Sequence, residues 1–186
     1  MGTTSAKKLI QFASFILACT FFSSQAPVTS SSNSEASIEW LSWDEAIERM
    51  ATEPKKIFVD VYTDWCGWCK RMDATTFVDP EIVKLMNEHF YAVKLDAEQE
   101  ESIIYDNHTF TYRSDVGRRG VHELAYALMD GRMSYPTYIY LSEQQQRISI
   151  SPGYKDAKTM EVELTYIGQD HYQNQTFQDY QAGQGN

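Results

Sequence analysis

From about residue 38 onward, short apolar runs alternate with segments in which apolar residues recur every three or four positions. The short runs predict buried strands, and the periodic segments predict amphipathic helices. The order is helix, strand, helix, strand, helix, strand, strand, helix, which predicts an α/β fold with a mixed central sheet and helices on both faces. The predicted helices are 43–52, one starting at Asp79-Pro80, 121–129 and 155–169, and the predicted strands are 57–62, 90–95, 137–141 and 147–150.

One polar residue interrupts the most apolar of these strands. The run Ile57-Phe58-Val59-Asp60-Val61-Tyr62 is short and rich in β-branched residues, which predicts a strand buried on both faces. An unpaired charge in such a strand is costly, so Asp60 needs a specific reason to be there.

The first residues have the pattern of a secretory signal peptide. Lys7 and Lys8 precede an apolar run over 9–22, and small residues follow it. We therefore expect residues 1–26 to be a cleaved signal peptide, since the run is shorter than the roughly 20 residues that a spanning helix needs. The Ser-rich segment 27–37 is expected to be a flexible tether, and the protein to be periplasmic or secreted.

Cys19 offers an alternative anchor. Ile16-Leu17-Ala18-Cys19 is similar to a bacterial lipobox, in which the cysteine becomes lipidated, although Phe21 and Phe22 continue the apolar run beyond it. Membrane attachment is expected only if Cys19 is lipidated.

Charge narrows the classes of partner. The 186 residues include 26 acidic and 16 basic ones, for a net charge of −10, and no run of basic residues is longer than two. A nucleic-acid binder needs a clustered positive face, so we expect no nucleic-acid partner. The chain is long enough for one domain, which we assign to residues 38–170. Residues 171–186 are expected to form a tail that packs on this domain and ends in disorder.

The candidate chemistry lies in Cys66-Gly67-Trp68-Cys69, just after the buried strand and at a predicted helix start. The free N–H groups and dipole of a helix start lower the pKa of a thiol placed there. The thiolate of Cys66 would attack a disulfide, and Cys69, one helical turn later, would resolve the mixed disulfide.

Other uses of a cysteine pair fit less well. A structural zinc site needs about four ligands, and the four histidines show no paired ligand spacing. Haem attachment needs a histidine after the second cysteine, where this chain has Lys70. A purely structural disulfide would leave Asp60 unexplained. We therefore predict no metal site and no cofactor other than a redox-active Cys66–Cys69 disulfide.

Together these residues resemble the thioredoxin family. The segment 58–70 is similar to the thioredoxin active-site segment, including an acidic residue six positions before the first cysteine and a tryptophan directly before it. Tyr135-Pro136-Thr137 resembles that family's cis-proline loop, and Gly153 matches the glycine after the last strand. The segment 76–83 is closer to the C-terminal periplasmic domain of the disulfide reductase DsbD and its secreted single-domain relatives.

The resemblance implies a thioredoxin fold over about 38–170 and assigns roles to the matched residues. It implies that Cys66 attacks, that Cys69 resolves, and that Asp60 lies beneath Cys69 and accepts and donates its proton through water. Burial is expected to raise the pKa of Asp60 toward the working pH.

The resemblance also implies a substrate groove. Pro136 in cis would expose the Tyr135 backbone, on which an extended substrate segment can pair like an added strand. Trp65, Gly67 and Trp68 are expected to border the groove at Cys66.

Two features depart from thioredoxin. Trp68 stands where thioredoxin has proline, and this intervening pair tunes the redox potential in the family. Residues 102–120, before the helix that precedes the proline loop, form an insertion that alternates around Asp106-Asn107, which predicts a small hairpin. We interpret the insertion as a solvated surface element, with partner recognition as the alternative.

The sequence therefore predicts an extracytoplasmic thiol–disulfide oxidoreductase. A reductase is favoured, which would take electrons from a membrane donor of the DsbD type and pass them to disulfide-bearing envelope proteins. A disulfide oxidase or isomerase, or a thiol-based binding module for cytochrome or metal maturation, remains the alternative.

Overall fold

The computed structural model describes residues 37–184. The predicted signal peptide, Cys19, nearly all of the predicted tether and the last two residues lie outside the described range. Within this range no helix is long and apolar enough to cross a membrane.

The described residues form nine strands, six α-helices and one 3-10 turn. In chain order they are β1 (Trp40–Leu41), α1 (Trp43–Met50), β2 (Lys56–Tyr62), α2 (Gly67–Ala74), α3 (Pro80–His89), β3 (Phe90–Asp96), β4 (Ile103–Tyr105), β5 (His108–Phe110), β6 (Tyr112–Arg113), β7 (Val121–His122), α4 (Glu123–Leu128), β8 (Thr137–Leu141), β9 (Arg147–Pro152), α5 (Ala157–Gly168), a 3-10 turn (His171–Gln173) and α6 (Phe177–Gly183).

Five of these strands form the central sheet, in the order β1-β3-β2-β8-β9. The β1, β3 and β2 strands run parallel, whereas β8 and β9 are antiparallel to their neighbours. The register places Asp60 in the middle of the sheet, opposite Lys94 of β3 on one side and Tyr138 of β8 on the other. The predicted mixed sheet is thus confirmed, with Asp60 on its central strand.

Each face of the sheet has its own apolar core. Val59 and Val61 of β2 pack on the face that α1 and α4 cover. Phe58 packs on the opposite face, together with residues of α2, α3 and α5. Because side chains alternate along a strand, Asp60 points to the same face as Phe58. Helices therefore cover both faces, as the sequence predicts for an α/β fold.

Side-chain caps fix two of the predicted helix starts. The Ser42 hydroxyl accepts a hydrogen bond from the Glu45 N–H at 3.3 Å, while the Glu45 carboxylate accepts from the Ser42 N–H at 2.8 Å. The Asp79 carboxylate accepts from the Glu81 N–H at 3.0 Å, and Pro80 occupies the first turn. Each cap satisfies N–H groups that have no partner within their helix.

Some boundaries differ from the sequence prediction. The helix predicted over 121–129 begins only at Glu123, because Val121 and His122 pair with β6 as a strand. Strand β1 was not predicted, since two residues are too short for a recognisable pattern. The predicted hairpin is present as β4 and β5, with Asp106 and Asn107 at positive φ in its turn.

The last described residues form a helix rather than an extended end. Tyr180 of α6 is buried, and its ring lies 5.3 Å from the ring of Tyr166 on α5. The Tyr166 hydroxyl donates a hydrogen bond to the Gln175 carbonyl at 2.7 Å. These contacts hold the segment after α5 against that helix.

Candidate redox site

The two cysteines form a disulfide at the start of α2. The Cys66 and Cys69 sulfurs are 2.06 Å apart. Cys66 is the N-cap residue of α2, and its Sγ accepts a hydrogen bond from the Cys69 N–H at 3.1 Å. Both residues are nearly buried, at 4% and 2% exposure. The sequence pattern predicted this position, just after a buried strand and at a helix start. In the structure β2 ends at Tyr62 and α2 begins at Gly67.

This position has a direct chemical consequence. When the disulfide is reduced, the Sγ of Cys66 remains at the positive end of the helix dipole, within reach of free N–H groups. Those groups stabilise a thiolate more than a thiol, so they favour the nucleophilic form of Cys66. Cys69 lies inside the first turn and lacks this advantage.

Asp60 is buried in the sheet, with one cationic partner. Its side chain is only 2% exposed, and its Oδ2 accepts a hydrogen bond from the Lys94 Nζ at 2.7 Å. Its Oδ1 is buried with no hydrogen-bond partner among the described residues. Burial raises the pKa of Asp60 to about 6, although Lys94 acts in the opposite direction. Such a carboxyl can both take up and release a proton near neutral pH.

Lys94 connects Asp60 to the helix that carries the cysteines. Its ammonium group also forms an ion pair with Asp73, which lies on α2, four residues after Cys69. The negative charge of Asp73 raises the pKa of Asp60 further. Sequence analysis missed both Lys94 and Asp73. A lysine inside the predicted strand 90–95 was the available signal, but its pairing with Asp60 depends on the register between β2 and β3.

The proline loop lies next to the cysteine loop. The Tyr135–Pro136 peptide bond is cis, and the Pro136 carbonyl accepts a hydrogen bond from the Gly153 N–H at 2.8 Å. The β8 pairing begins at Thr137, so within the described chain the Tyr135 backbone takes no part in the ladder. The Tyr135 ring packs edge-on against the Trp65 ring, with centroids 5.8 Å apart.

Two exposed tryptophans lie close to the cysteines in the chain, Trp65 directly before Cys66 and Trp68 between Cys66 and Cys69. Trp65 and Trp68 are 52% and 54% exposed, which is unusual for such large apolar side chains. Trp68 packs near Tyr154, with ring centroids 5.1 Å apart, and the Arg71 guanidinium lies over both rings. Gly67, between the cysteines, is exposed, and a Cβ added there would meet no atom within 4 Å apart from its chain neighbours.

The structure brings several of the predicted site residues into contact. Cys66 and Cys69 are bonded to each other, and Trp65 contacts Tyr135 of the proline loop. Asp60 lies on β2, the strand that leads to the cysteines, and reaches α2 through Lys94. Among the described residues, no group of three or more histidine, cysteine or acidic side chains comes together as a metal site.

Known structures share this architecture. A DsbH oxidoreductase is 15% identical, with a TM-score of 0.51 over 72% of this chain and 86% of its own. A thioredoxin-fold protein from Helicobacter pylori is 16% identical, with a TM-score of 0.53 over 80% and 87%. A thioredoxin from Thermus thermophilus is 14% identical, with a TM-score of 0.52 over 70% and 87%. The fold and the Cys-Gly-Trp-Cys disulfide therefore define a thioredoxin-fold protein, which confirms the predicted fold class.

The family can be stated more closely. Residues 23–165 match the family model described as "Thioredox_DsbH: Protein of unknown function, DUF255". The chain belongs to this family. Family, fold and disulfide together support a thiol–disulfide oxidoreductase.

Curated relatives match a shorter segment. Spermatogenesis-associated protein 20 from Homo sapiens and from Mus musculus are each 32% identical over 81 residues, which is 43% of this chain. That segment spans only 10% of the length of either relative.

Proposed function

We propose that this protein is an extracytoplasmic disulfide reductase that uses the Cys66–Cys69 dithiol. The observation that carries the oxidoreductase chemistry is the disulfide at the N-terminus of α2, with Cys66 as the capping residue. The reductase direction is inferred from the resemblance of segment 76–83 to the disulfide reductase DsbD. The extracytoplasmic location is inferred from the signal-peptide pattern of residues 1–26. The proposed substrates are disulfide-bearing envelope proteins.

The reduced protein would react in two steps. The Cys66 thiolate attacks one sulfur of the substrate disulfide, whose S–S bond breaks, and the released substrate thiolate takes up a proton. Cys69 then loses its proton and attacks the Sγ of Cys66, which releases the second substrate thiol. Two electrons have moved to the substrate, and the protein is left with the Cys66–Cys69 disulfide. A dithiol donor in the membrane, of the DsbD type, reduces that disulfide again by the reverse exchange.

Asp60 is proposed to handle the proton of Cys69. As a carboxylate it accepts the proton when Cys69 becomes a nucleophile, and it returns the proton when the disulfide is reduced. Its burial and its pKa of about 6 support this role, because the group is then divided between its two protonation states near neutral pH.

Substrate binding is assigned to the loops around the disulfide. The unpaired Tyr135 backbone before Pro136 offers an edge to which an extended substrate segment can add as a strand. Trp65 and Trp68 supply exposed apolar surface on the two sides of Cys66. Gly67 leaves the approach to Cys66 open.

A second candidate is a disulfide oxidase or isomerase with the same residues. The observation that favours it is again the N-cap position of Cys66, because stabilising its thiolate stabilises the reduced protein. The two candidates differ in the direction of electron flow, which the reduction potential decides.

Replacing the attacking thiol tests the catalytic proposal. The Cys66→Ser variant should reduce a peptide disulfide no faster than buffer does, since serine cannot form a mixed disulfide. Cys69→Ser is the matched control. It should still attack and should accumulate a mixed disulfide with the peptide, detectable by mass spectrometry. Turnover by Cys66→Ser at the wild-type rate contradicts the proposal.

A further inference from the structure

A cleft lies directly beside the redox loop. Its volume is about 720 Å³, and Trp65 and Tyr135 form one wall. The insertion contributes Arg118, Arg119 and the glycines on either side of them to the lining. Trp65 immediately precedes Cys66, and Tyr135 immediately precedes Pro136. A substrate segment paired on the Tyr135 backbone would therefore lie beside this cleft.

The residues that line the cleft include two arginines and one carboxylate, that of Glu98. Arg118 is exposed and forms no salt bridge with any residue in the described range. Arg119 lies over the Trp65 ring, 5.5 Å from its centroid, and its Nη1 is 3.9 Å from the Glu98 Oε2. The other Glu98 oxygen already accepts a hydrogen bond from the Trp65 Nε1 at 2.9 Å. Among the lining residues Arg118 is therefore the cation without a paired carboxylate, in a chain whose net charge is −10. Asp96, outside the lining, also acts electrostatically on Tyr135.

The backbone of the loop that carries the arginines is anchored by the rest of the insertion. The Arg113 guanidinium donates to both oxygens of Asp115, at 2.9 and 2.8 Å, which braces the β6 end of the loop. The Tyr112 hydroxyl donates to the Arg119 carbonyl. Gly120 has φ +77°, and a Cβ there would collide with the Tyr112 hydroxyl and the Arg113 carbonyl. A loop fixed in this way presents its charges with little ordering cost on binding.

We propose that this cleft binds an acidic side chain of the substrate polypeptide, close to the cysteine that Cys66 attacks. The inference rests on the proposed oxidoreductase function and adds a class of substrate to it: disulfides flanked by aspartate or glutamate. Arg118 supplies the cation without a partner. A guanidinium forms strong and directional charge-assisted hydrogen bonds with a carboxylate, so Arg118 is suited to bind one.

A preference for acidic peptides is the opposite of what the net negative charge of the protein would produce, so the two effects can be distinguished. Three peptide disulfides that differ only in carrying Glu, Gln or Lys beside the cysteine are mixed with the fully reduced protein. The release of peptide thiol is monitored by mass spectrometry and gives a rate constant for each peptide. We expect the Glu peptide to react about fivefold faster than the Lys peptide at low salt, with a smaller ratio at high salt. A protein-wide effect of the net negative charge would give the opposite order.

Charge reversal assigns the effect to the cleft. Arg118→Glu should invert the order so that the Lys peptide reacts faster. Lys158→Glu is the matched control, because it makes the same change in net charge on an exposed residue of α5 that does not line the cleft. It should leave the Glu-to-Lys ratio of wild type. Circular dichroism verifies that both variants are folded, and Arg118→Gln should give an intermediate ratio.

The outcomes separate this inference from the proposed function. If wild type reduces all three peptides equally, or if Lys158→Glu changes the ratio as much as Arg118→Glu does, the cleft assignment is overturned and the reductase proposal stands. If none of the peptides is reduced by wild type, the proposed function itself fails, and the substrate class falls with it.

Discussion

At the scale of single residues, burial of the Asp60 carboxyl has a cost in stability. Asp60 lies in the middle of an apolar sheet, where only Lys94 offsets the loss of water around its charge. Burial raises the pKa of Asp60 from 3.8 to about 6. Between these two pH values the folded protein binds more protons than the unfolded chain does. The free energy of unfolding therefore decreases as pH rises through this interval, and the loss is complete above pH 6.

This cost predicts a stabilising substitution. Asp60→Asn should raise the free energy of unfolding at pH 7 by up to about 3 kcal/mol, and the gain should vanish below about pH 4. Urea unfolding of the oxidised protein at pH 4, 5.5 and 7 measures this. Asp64→Asn, the same change on an exposed side chain, is the control. A gain for Asp60→Asn that is equal at all three pH values would contradict the assigned cause. The same variant should slow the resolving step, since no carboxyl would then receive the Cys69 proton.

At the scale of elements, one lysine ties three of them together. Lys94 on β3 pairs with Asp60 on β2 and with Asp73 on α2, the helix that begins at the cysteines. Lys94 lowers the pKa of Asp60, whereas Asp73 raises it. Asp73 is 45% exposed, so its carboxylate connects the Asp60–Lys94 ion pair to solvent. We therefore regard Lys94 and Asp73 as positioning residues for the proton step.

Opposite shifts are expected from these two neighbours. Lys94→Gln should raise the pH at which Asp60 titrates above 6, and Asp73→Asn should lower it, because each removes a charge of opposite sign. The titration can be followed by NMR of the Asp60 carboxyl carbon, with Asp60→Asn identifying the signal. The midpoint of the pH profile for mixed-disulfide resolution should move in the same direction in each variant. Shifts of equal sign in both variants would show that Asp60 is not governed by this ion-pair network.

At the scale of the whole molecule, the same fold and site can support electron flow in either direction. The direction of electron flow depends on the stability of the disulfide relative to that of the dithiol, in which the start of α2 stabilises the Cys66 thiolate. Trp68 between the cysteines brings a large exposed ring next to that thiolate. The proposed reductase requires that this stabilisation remain small.

The reduction potential of the Cys66–Cys69 pair is the measurement that separates the two directions. Equilibration against a series of glutathione buffers is expected to give a value near that of thioredoxin, about −270 mV, for a reductase. A value near that of DsbA, about −120 mV, would make the protein an oxidant and would overturn the reductase proposal. The Cys69→Ser variant, which cannot form the internal disulfide, controls for other thiol reactions.

The amino-acid sequence by itself determined the features that depend on neighbours along the chain. The α/β order followed from local apolar periodicity, the start of α1 from Ser42 and Glu45, and the hairpin turn from Asp106-Asn107. The spacing of Cys66 and Cys69 at a helix start was equally local, and it was enough to indicate redox chemistry. Asp60 was recognisable because a carboxylate in a buried strand violates the pattern around it.

Only the tertiary structure decided the contacts that join distant parts of the chain. Lys94 reaches Asp60 through the register of two parallel strands, and Asp73 reaches Lys94 through the packing of α2 on the sheet. Arg118 and Arg119 of the insertion line one cleft with Trp65, which lies more than 50 residues earlier in the chain. Two-residue β1 exists only because β3 offers it a partner. None of these follows from local pattern, because strand register and packing depend on the simultaneous fit of many side chains separated widely in sequence.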